Sequence, residues 1–342
     1  MGSRVTPTGL DRAAALAEVA AEAARCVTCG LCNQVCPTFA RTGREIDGPR
    51  GRVHFLRELA QHVDSAGLAY LDPCVRCDLC SEVCPTAVDF GAAVRVHRTA
   101  AGIAPRSRGD LAALTEQAVD SVEARYFAAQ LEPVGLPNVD AGTGSHSLAL
   151  VPGPLLASAG PDVVAAAQAR CAPDAAVFAA DPGTGLLELG LDALFAERAA
   201  RFVAALRALD VRRVVCLDPW SVSAVERSLR GSGLDVAVSH WLHFLLESGH
   251  VVHDDGALLL DWGPEPLEDV GRIAPGVPDD RILPASLRAH VSLPAFAAEG
   301  RMVQCELRRR FAEFAAGRRV VTFHPITLLS YPRAELAGAS VD

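Results

Sequence analysis

Residues 26–37 read Cys26-Val-Thr-Cys29-Gly-Leu-Cys32-Asn-Gln-Val-Cys36-Pro37, and residues 74–85 repeat them as Cys74-Val-Arg-Cys77-Asp-Leu-Cys80-Ser-Glu-Val-Cys84-Pro85. Three cysteines at three-residue steps let a tight loop wrap its thiolates around one corner of an iron–sulfur cubane. The fourth, followed by proline, points away toward a second cubane. The spacing therefore predicts two 4Fe-4S clusters with crossed ligand sets: Cys26, Cys29, Cys32 and Cys84 on one, and Cys74, Cys77, Cys80 and Cys36 on the other. Zinc also accepts paired Cys-x-x-Cys, but it leaves unexplained both the third evenly spaced cysteine and the Cys-Pro ending. With four thiolates per cluster no iron position is open to substrate, so this part of the chain is expected to carry electrons rather than make or break bonds.

Eight of the 11 cysteines lie between Cys26 and Cys84, while Cys171, Cys216 and Cys305 are scattered singly. The chain has 342 residues, is 50% hydrophobic and only 5% aromatic, and its 32 basic residues are all arginine. That length suits about two ordinary domains. A net charge of −9 and the lack of a basic run interleaved with aromatics give no electrostatic footprint for nucleic acid. Residues 1–10 show neither the charged nor the apolar region of a secretory signal, and no apolar stretch nears the ~20 residues needed to span a bilayer. The expected location is cytoplasmic, or peripheral at the inner face of the membrane through partners. In a reducing compartment clustered cysteines are better read as metal ligands than as disulfides.

Around the motifs the pattern is helical: Leu10 to Arg25, with Leu16, Val19 and Ala20 on one face, then Arg52 to His62 and Leu111 to Gln130. Turn formers crowd Pro133 to Ser147, which reads as a linker. Beyond it, short apolar runs at 147–151, 175–180, 213–217, 235–238, 257–260 and 319–323 read as buried strands. Helical patterns at Pro161 to Arg170 and Leu189 to Leu209 separate several of them, so an α/β domain with a largely parallel sheet is expected. Residues 262–295 are Pro-rich and carry no clear pattern. The boundaries expected are a helical dicluster domain over 1–105, a helix and linker over 106–146, and the α/β domain over 147–342.

Beyond the cysteines, Asp47-Gly-Pro-Arg-Gly-Arg52 and Cys84-Pro-Thr-Ala-Val-Asp-Phe-Gly91 resemble segments flanking the same motifs in the iron–sulfur subunit of glycolate oxidase. Related subunits occur in anaerobic glycerol-3-phosphate dehydrogenase and heterodisulfide reductase. The resemblance covers roughly the first 105 residues and implies a helical ferredoxin bundle around two 4Fe-4S clusters. It further implies a flavin-containing dehydrogenase subunit as partner, oxidising a hydroxy acid or polyol; a relay from it would pass electrons singly to a quinone or another electron carrier. The second half is similar to that family's C-terminal domain, usually two copies of a unit marked by Cys-Cys-Gly that can bind a further cluster. Here the frame persists without the cysteines. Ala180-Asp-Pro-Gly183 stands at the Cys-Cys-Gly position, and Gly153-Pro154 replaces Gly-Cys. Asp218-Pro-Trp-Ser221 replaces Asp-Pro-x-Cys, and Val321-Thr-Phe-His-Pro-Ile-Thr-Leu328 resembles the second unit's cysteine-bearing segment. A third cluster is not expected.

His240-Trp-Leu-His243, with His250 and His253 after it, could present two imidazoles at i and i+3. Without a third ligand nearby it reads better as a partly buried polar helix edge. Cys216, in an apolar strand, reads as a small buried hydrophobe. Arg25, Arg50, Arg52, Arg57 and Arg76 lie close to the motifs in sequence. Two readings stay open for them: raising cluster potential or docking an acidic partner, and ordinary solvated charge. No glycine-rich nucleotide or phosphate-loop motif is present, so the chain is not expected to hold its own nucleotide. Two functions follow: an electron relay from a flavin partner, or a cluster-stabilised scaffold for other proteins.

Overall fold

The computed structural model describes residues 12–59, 68–71, 73–91, 93–94, 112–113, 115–118, 121–129, 146–179, 181–188, 191–251, 258–261, 267–283, 298–322, 324, 327 and 334–336. Residues 133–145 of the expected linker over 133–147, Ala180, His253, Ile326 and residues 284–297 lie outside them. The chain divides into two compact units, one of residues 1–105 with 292–307 and the other of residues 106–291 with 308–342.

The first unit is helical. Helix α1 (Arg12–Ala24) leads into the first cysteine loop, and α2 (Leu31–Val35) and α3 (Pro37–Thr42) follow it. After a 3-10 turn at Glu45–Asp47 come α4 (Pro49–Leu59), α5 (Leu68–Leu71) and α6 (Leu79–Glu82). Proline at the first position of α3 is compatible with a helix start, where its missing N–H costs nothing. Gly43 in the left-handed conformation, its N–H bonded to the Phe39 carbonyl, ends that helix. Val19 and Ala23 of α1 meet Val53 and Leu56 of α4 in a core completed by Leu71, Val88 and Phe90. Fully burying a side chain of this size is worth about 1.5–3 kcal/mol, so this small core is the support on which the loops rest. Cys26, Cys74, Cys80 and Cys84 pack against its edge. The expected face of α1 is offset by part of a turn: Val19 and Ala23 are buried, Leu16 and Ala20 only partly so.

The second unit carries two parallel sheets. Strands β1 (Leu148–Val151), β2 (Ala176–Val177), β3 (Arg213–Cys216) and β4 (Ala237–His240) lie in the order β2-β1-β3-β4, and β5 (Leu258–Asp261), β6 (Arg319–Thr322) and β7 (Ala334–Leu336) in sequence order. Among the described residues every strand pairing is parallel, with Val151 opposite Cys216 and Cys216 opposite His240. Both faces of the first sheet are buried, as parallel sheets require. Ala149, Val151, Val214 and Cys216 meet Phe178, Phe202 and Leu206. Leu150, Val215 and Leu217 turn the other way, toward Trp241 and Leu242. Cys216 is fully buried there, in keeping with its reading as a small apolar residue. Four strands sit close to where the sequence puts them. β2 is only two residues long, β4 begins two residues later than expected, and β7 is additional. Among the described residues no helix is long and apolar enough to cross a membrane.

Candidate metal centre

The two cysteine loops repeat in backbone conformation as well as in sequence. In the first, Thr28 and Gly30 have φ of 59° and 82°; at the matching places in the second, Arg76 and Asp78 have 55° and 56°. Left-handed residues between successive cysteines curl each loop, at a cost that the three non-glycine residues bear. The curl also turns backbone amides onto sulfur: the Thr28 N–H donates to Cys26 Sγ and the Arg76 N–H to Cys74 Sγ, both at 3.4 Å. Each loop then enters a short helix, α2 or α6, and these two pack against each other.

Near that packing Cys36 comes close to the second loop. Cys36 lines one pocket together with Cys74, Cys77 and Cys80, closed by Arg52, Arg76 and Phe90 among others. Cys84 lies within electrostatic reach of Cys32, as do Cys26 and Cys29. Burial first, and then the neighbouring Cys26 and Cys29 thiols, push the Cys32 thiol up to about 11. Burial, followed by the charges of their neighbours, likewise pushes Cys80 well up, and burial dominates at Cys77, where Cys36 and Cys74 add to it. Bare thiolates at such density repel one another, and a cationic iron core removes the penalty because metal ligation deprotonates the thiol outright. Cys84 differs. Burial acts to raise it, but hydrogen bonds from Thr86 and from the Val88 and Ala87 amides leave it below its ordinary value. Among the described residues no group of three or more His, Cys, Asp or Glu side chains is disposed to hold a single metal ion. The thiols instead border a volume, and sulfur-only donors in fours are the ligand set of a 4Fe-4S cubane.

The glycines of Asp47-Gly-Pro-Arg-Gly-Arg52 set the wall of this site. A Cβ on Gly51 would stand 2.1 Å from the Glu45 carbonyl oxygen, and one on Gly48 would stand 2.6 Å from Asn33 Oδ1. Only glycine allows α4 to start this close to the preceding turn. Asn33 is tied in as well, its Nδ2 donating to Glu45 at 2.8 Å.

A second repeat extends the motif: Cys36-Pro-Thr38 and Cys84-Pro-Thr86. Thr38 Oγ1 lies 3.0 Å from Cys36 Sγ, and Thr86 Oγ1 lies 3.4 Å from Cys84 Sγ. The recurrence of threonine two residues after the last cysteine was the available signal for both, and the motif reading stopped at proline.

The arginines named from sequence have separate fates. Arg25 pairs with Glu22 and donates to the Thr86 carbonyl, and Arg57 donates to the carbonyls of Ala23 and Cys26 at 3.0 and 2.6 Å. Arg50 pairs with Glu45 at 2.7 Å at the surface, whereas Arg52 and Arg76 are buried. Among the described residues the histidines join no group of three or more metal ligands. His240 is buried at the end of β4, while half-exposed His243 faces Asp269 at 3.5 Å.

In the second unit a polar network sits where β1 and β3 end. The order β2-β1-β3-β4 reverses between β1 and β3, and the carboxyl ends flanking such a switch point are where α/β sheets ordinarily admit ligands. Here Gly153 follows β1 and Asp218 follows β3, and a Cβ on Gly153 would meet Asp218 Cβ at 2.5 Å. Asp181 accepts from the Gly183 and Thr184 amides, from the Thr184 hydroxyl, and from Ser221 Oγ at 3.3 Å. Asp218 Oδ1 accepts from the Trp220 amide at 2.9 Å, while Oδ2 is buried without a partner among the described residues. Burial, opposed by that amide and reinforced by Asp181, pushes the Asp218 carboxyl up to about 7.

Residues 22–88 match the family model described as a 4Fe-4S dicluster domain. A 36-residue segment, 10% of this chain, is 44% identical to the glycolate oxidase iron–sulfur subunit of Escherichia coli strain K12 and covers 9% of that protein. No solved structure matches the chain. The two matches support an iron–sulfur subunit of this kind, with 4Fe-4S binding by the cysteine-rich segment.

Proposed function

We propose that the chain is the electron-relay subunit of a multisubunit flavin-dependent oxidoreductase acting on a 2-hydroxy acid, and that it carries two 4Fe-4S clusters with crossed ligation. Cys26, Cys29, Cys32 and Cys84 hold one cluster; Cys74, Cys77, Cys80 and Cys36 hold the other. The observation that carries the reading is the pocket in which Cys36 joins three cysteines some forty positions away in sequence. A bound cubane supplies one-electron redox capacity at low reorganisation cost. The protein's part is to deliver eight thiolates from two rigid loops, to turn amide and hydroxyl donors onto sulfur, and to keep the two sets in one unit so that electrons hop between them.

A flavin gives up two electrons that must leave singly, and two adjacent one-electron centres suit that task. The similarity to a glycolate oxidase iron–sulfur subunit supports a flavoprotein dehydrogenase as partner and a quinone or carrier protein as acceptor. The test is affinity purification of the full chain from its native cell under anaerobic conditions. A flavoprotein recovered with it, whose substrate bleaches the iron–sulfur absorbance within one turnover, is the expected result. Recovery of partners lacking flavin, with clusters that no substrate reduces, would favour the scaffold.

A further inference from the structure

Two arginines at the start of α4, two residues apart, sit in opposite electrostatic situations. Arg50 lies over the first loop, its Nη1 2.9 Å from where a Cβ on Gly30 would be, and it is exposed and paired with Glu45. Solvent and the carboxylate spend most of its charge. Arg52 is 1% exposed and lines the pocket of Cys36, Cys74, Cys77 and Cys80. Its Nε donates to the Tyr70 carbonyl and its Nη1 to Thr38 Oγ1, both at 3.2 Å. Its Nη2 is buried with no partner among the described residues. Asp47 senses the charge of Arg52, but both of its carboxylate oxygens are taken by Arg44, at 2.7 and 3.1 Å. A guanidinium cannot shed its proton to escape burial, so an unpaired buried arginine calls for an anion.

A cubane with four thiolates is such an anion, and it becomes more negative by one charge on reduction. We propose that Arg52 is the buried counter-charge of the cluster held by Cys36, Cys74, Cys77 and Cys80, and that it raises the potential of that cluster selectively. The proposal rests on the two-cluster reading above. Burial alone would make this cluster hard to reduce, because adding an electron in a low-dielectric wall is unfavourable. Arg52 offsets that from within the pocket wall, and the electron from the flavin partner then has a place to rest in the interior. Thr38 couples the two: its hydroxyl touches Cys36 Sγ, accepts from Arg52 and donates to the Asp47 carbonyl at 2.7 Å.

The test is a mediated potentiometric titration with dithionite, read by EPR, on full-length protein purified anaerobically. The signal of this cluster is identified as the one whose line shape changes in Cys77→Ser. Arg52→Gln is expected to lower the reduced-to-oxidised ratio of that cluster about tenfold at fixed potential, which is about 59 mV for one electron. The other signal should move less than about twofold. Arg52→Lys, which keeps the charge, should recover most of the shift, and Arg50→Gln should leave this cluster unmoved. Equal shifts in both clusters, or no shift in a protein with full iron, overturn the proposal. If Gln costs the cluster altogether, retention by Lys supports a role for charge, and loss in both variants overturns it in favour of shape alone. A wild-type protein with iron for only one cluster defeats the two-cluster reading itself, before any variant is compared.

Discussion

Replacing Asp218 by Asn should abolish a specific loss of stability at neutral and alkaline pH. The carboxyl is fully buried, and its proton is held to about 7 against an ordinary value of 3.8. At about 1.4 kcal/mol per pH unit, that displacement disfavours the charged form in the fold by about 4 kcal/mol, an upper bound. The sign follows from proton counting. Between the two values the unfolded chain has released the proton and the folded chain keeps it, so the contribution to stability is fully present below pH 3.8. It is lost progressively as pH rises, and the loss is complete above pH 7. From pH 5 to pH 8 this group alone should cost the wild type about 2–3 kcal/mol. Asn keeps an oxygen for the Trp220 amide and carries no charge, so Asp218→Asn should be little changed at pH 5 and more stable by that amount at pH 8. Urea unfolding followed by tryptophan fluorescence isolates the second unit, because Trp220, Trp241 and Trp262 all belong to it. Parallel pH profiles for variant and wild type would refute the assignment of this buried charge, as would a variant that is less stable at pH 8.

Three other perturbations separate the parts of the account. Cys84→Ser should damage the EPR signal of the cluster assigned to Cys26, Cys29 and Cys32 more than that of its sequence neighbours, and the reverse pattern would remove the crossed arrangement. Gly51→Ala places a methyl 2.1 Å from a backbone oxygen, so α4 must move; a loss of about 1–3 kcal/mol together with lower iron content is expected, and a variant with wild-type melting and iron would contradict the packing described. Thr38→Val removes the acceptor for a buried arginine and should destabilise the first unit by about 1–3 kcal/mol, measured by the temperature at which iron–sulfur absorbance is lost.

The candidate ligands were legible because metal chemistry fixes both residue type and spacing: eight cysteines in two matching frames leave few alternatives, and Cys36 lines one pocket with Cys74, Cys77 and Cys80. The electrostatics were not legible. Arg25, Arg50, Arg52 and Arg57 look alike in a helical sequence, and which of them ends up exposed, bonded to a carbonyl or buried depends on how α1, α4 and the loops close on each other. Apolar periodicity located β1, β3 and β6 well because three of the four residues in each are buried, and it placed β5 within one residue. It missed β7, since Ala-Glu-Leu carries little strand preference, and it started β4 two residues early, since Ser239 and His240 extend the pairing with polar side chains. That Asp218 and Asp181 close the switch point with a buried polar network was not legible, because it depends on the approach of Gly153 after β1 to Asp218 after β3.

The most direct test is the metal and sulfide content of anaerobically purified full-length protein, measured together for iron, zinc and acid-labile sulfide. About eight irons and about eight sulfides per chain with negligible zinc are expected. About two zincs per chain without sulfide would contradict the iron–sulfur assignment, and about four irons would contradict the second cluster and the crossed ligation with it.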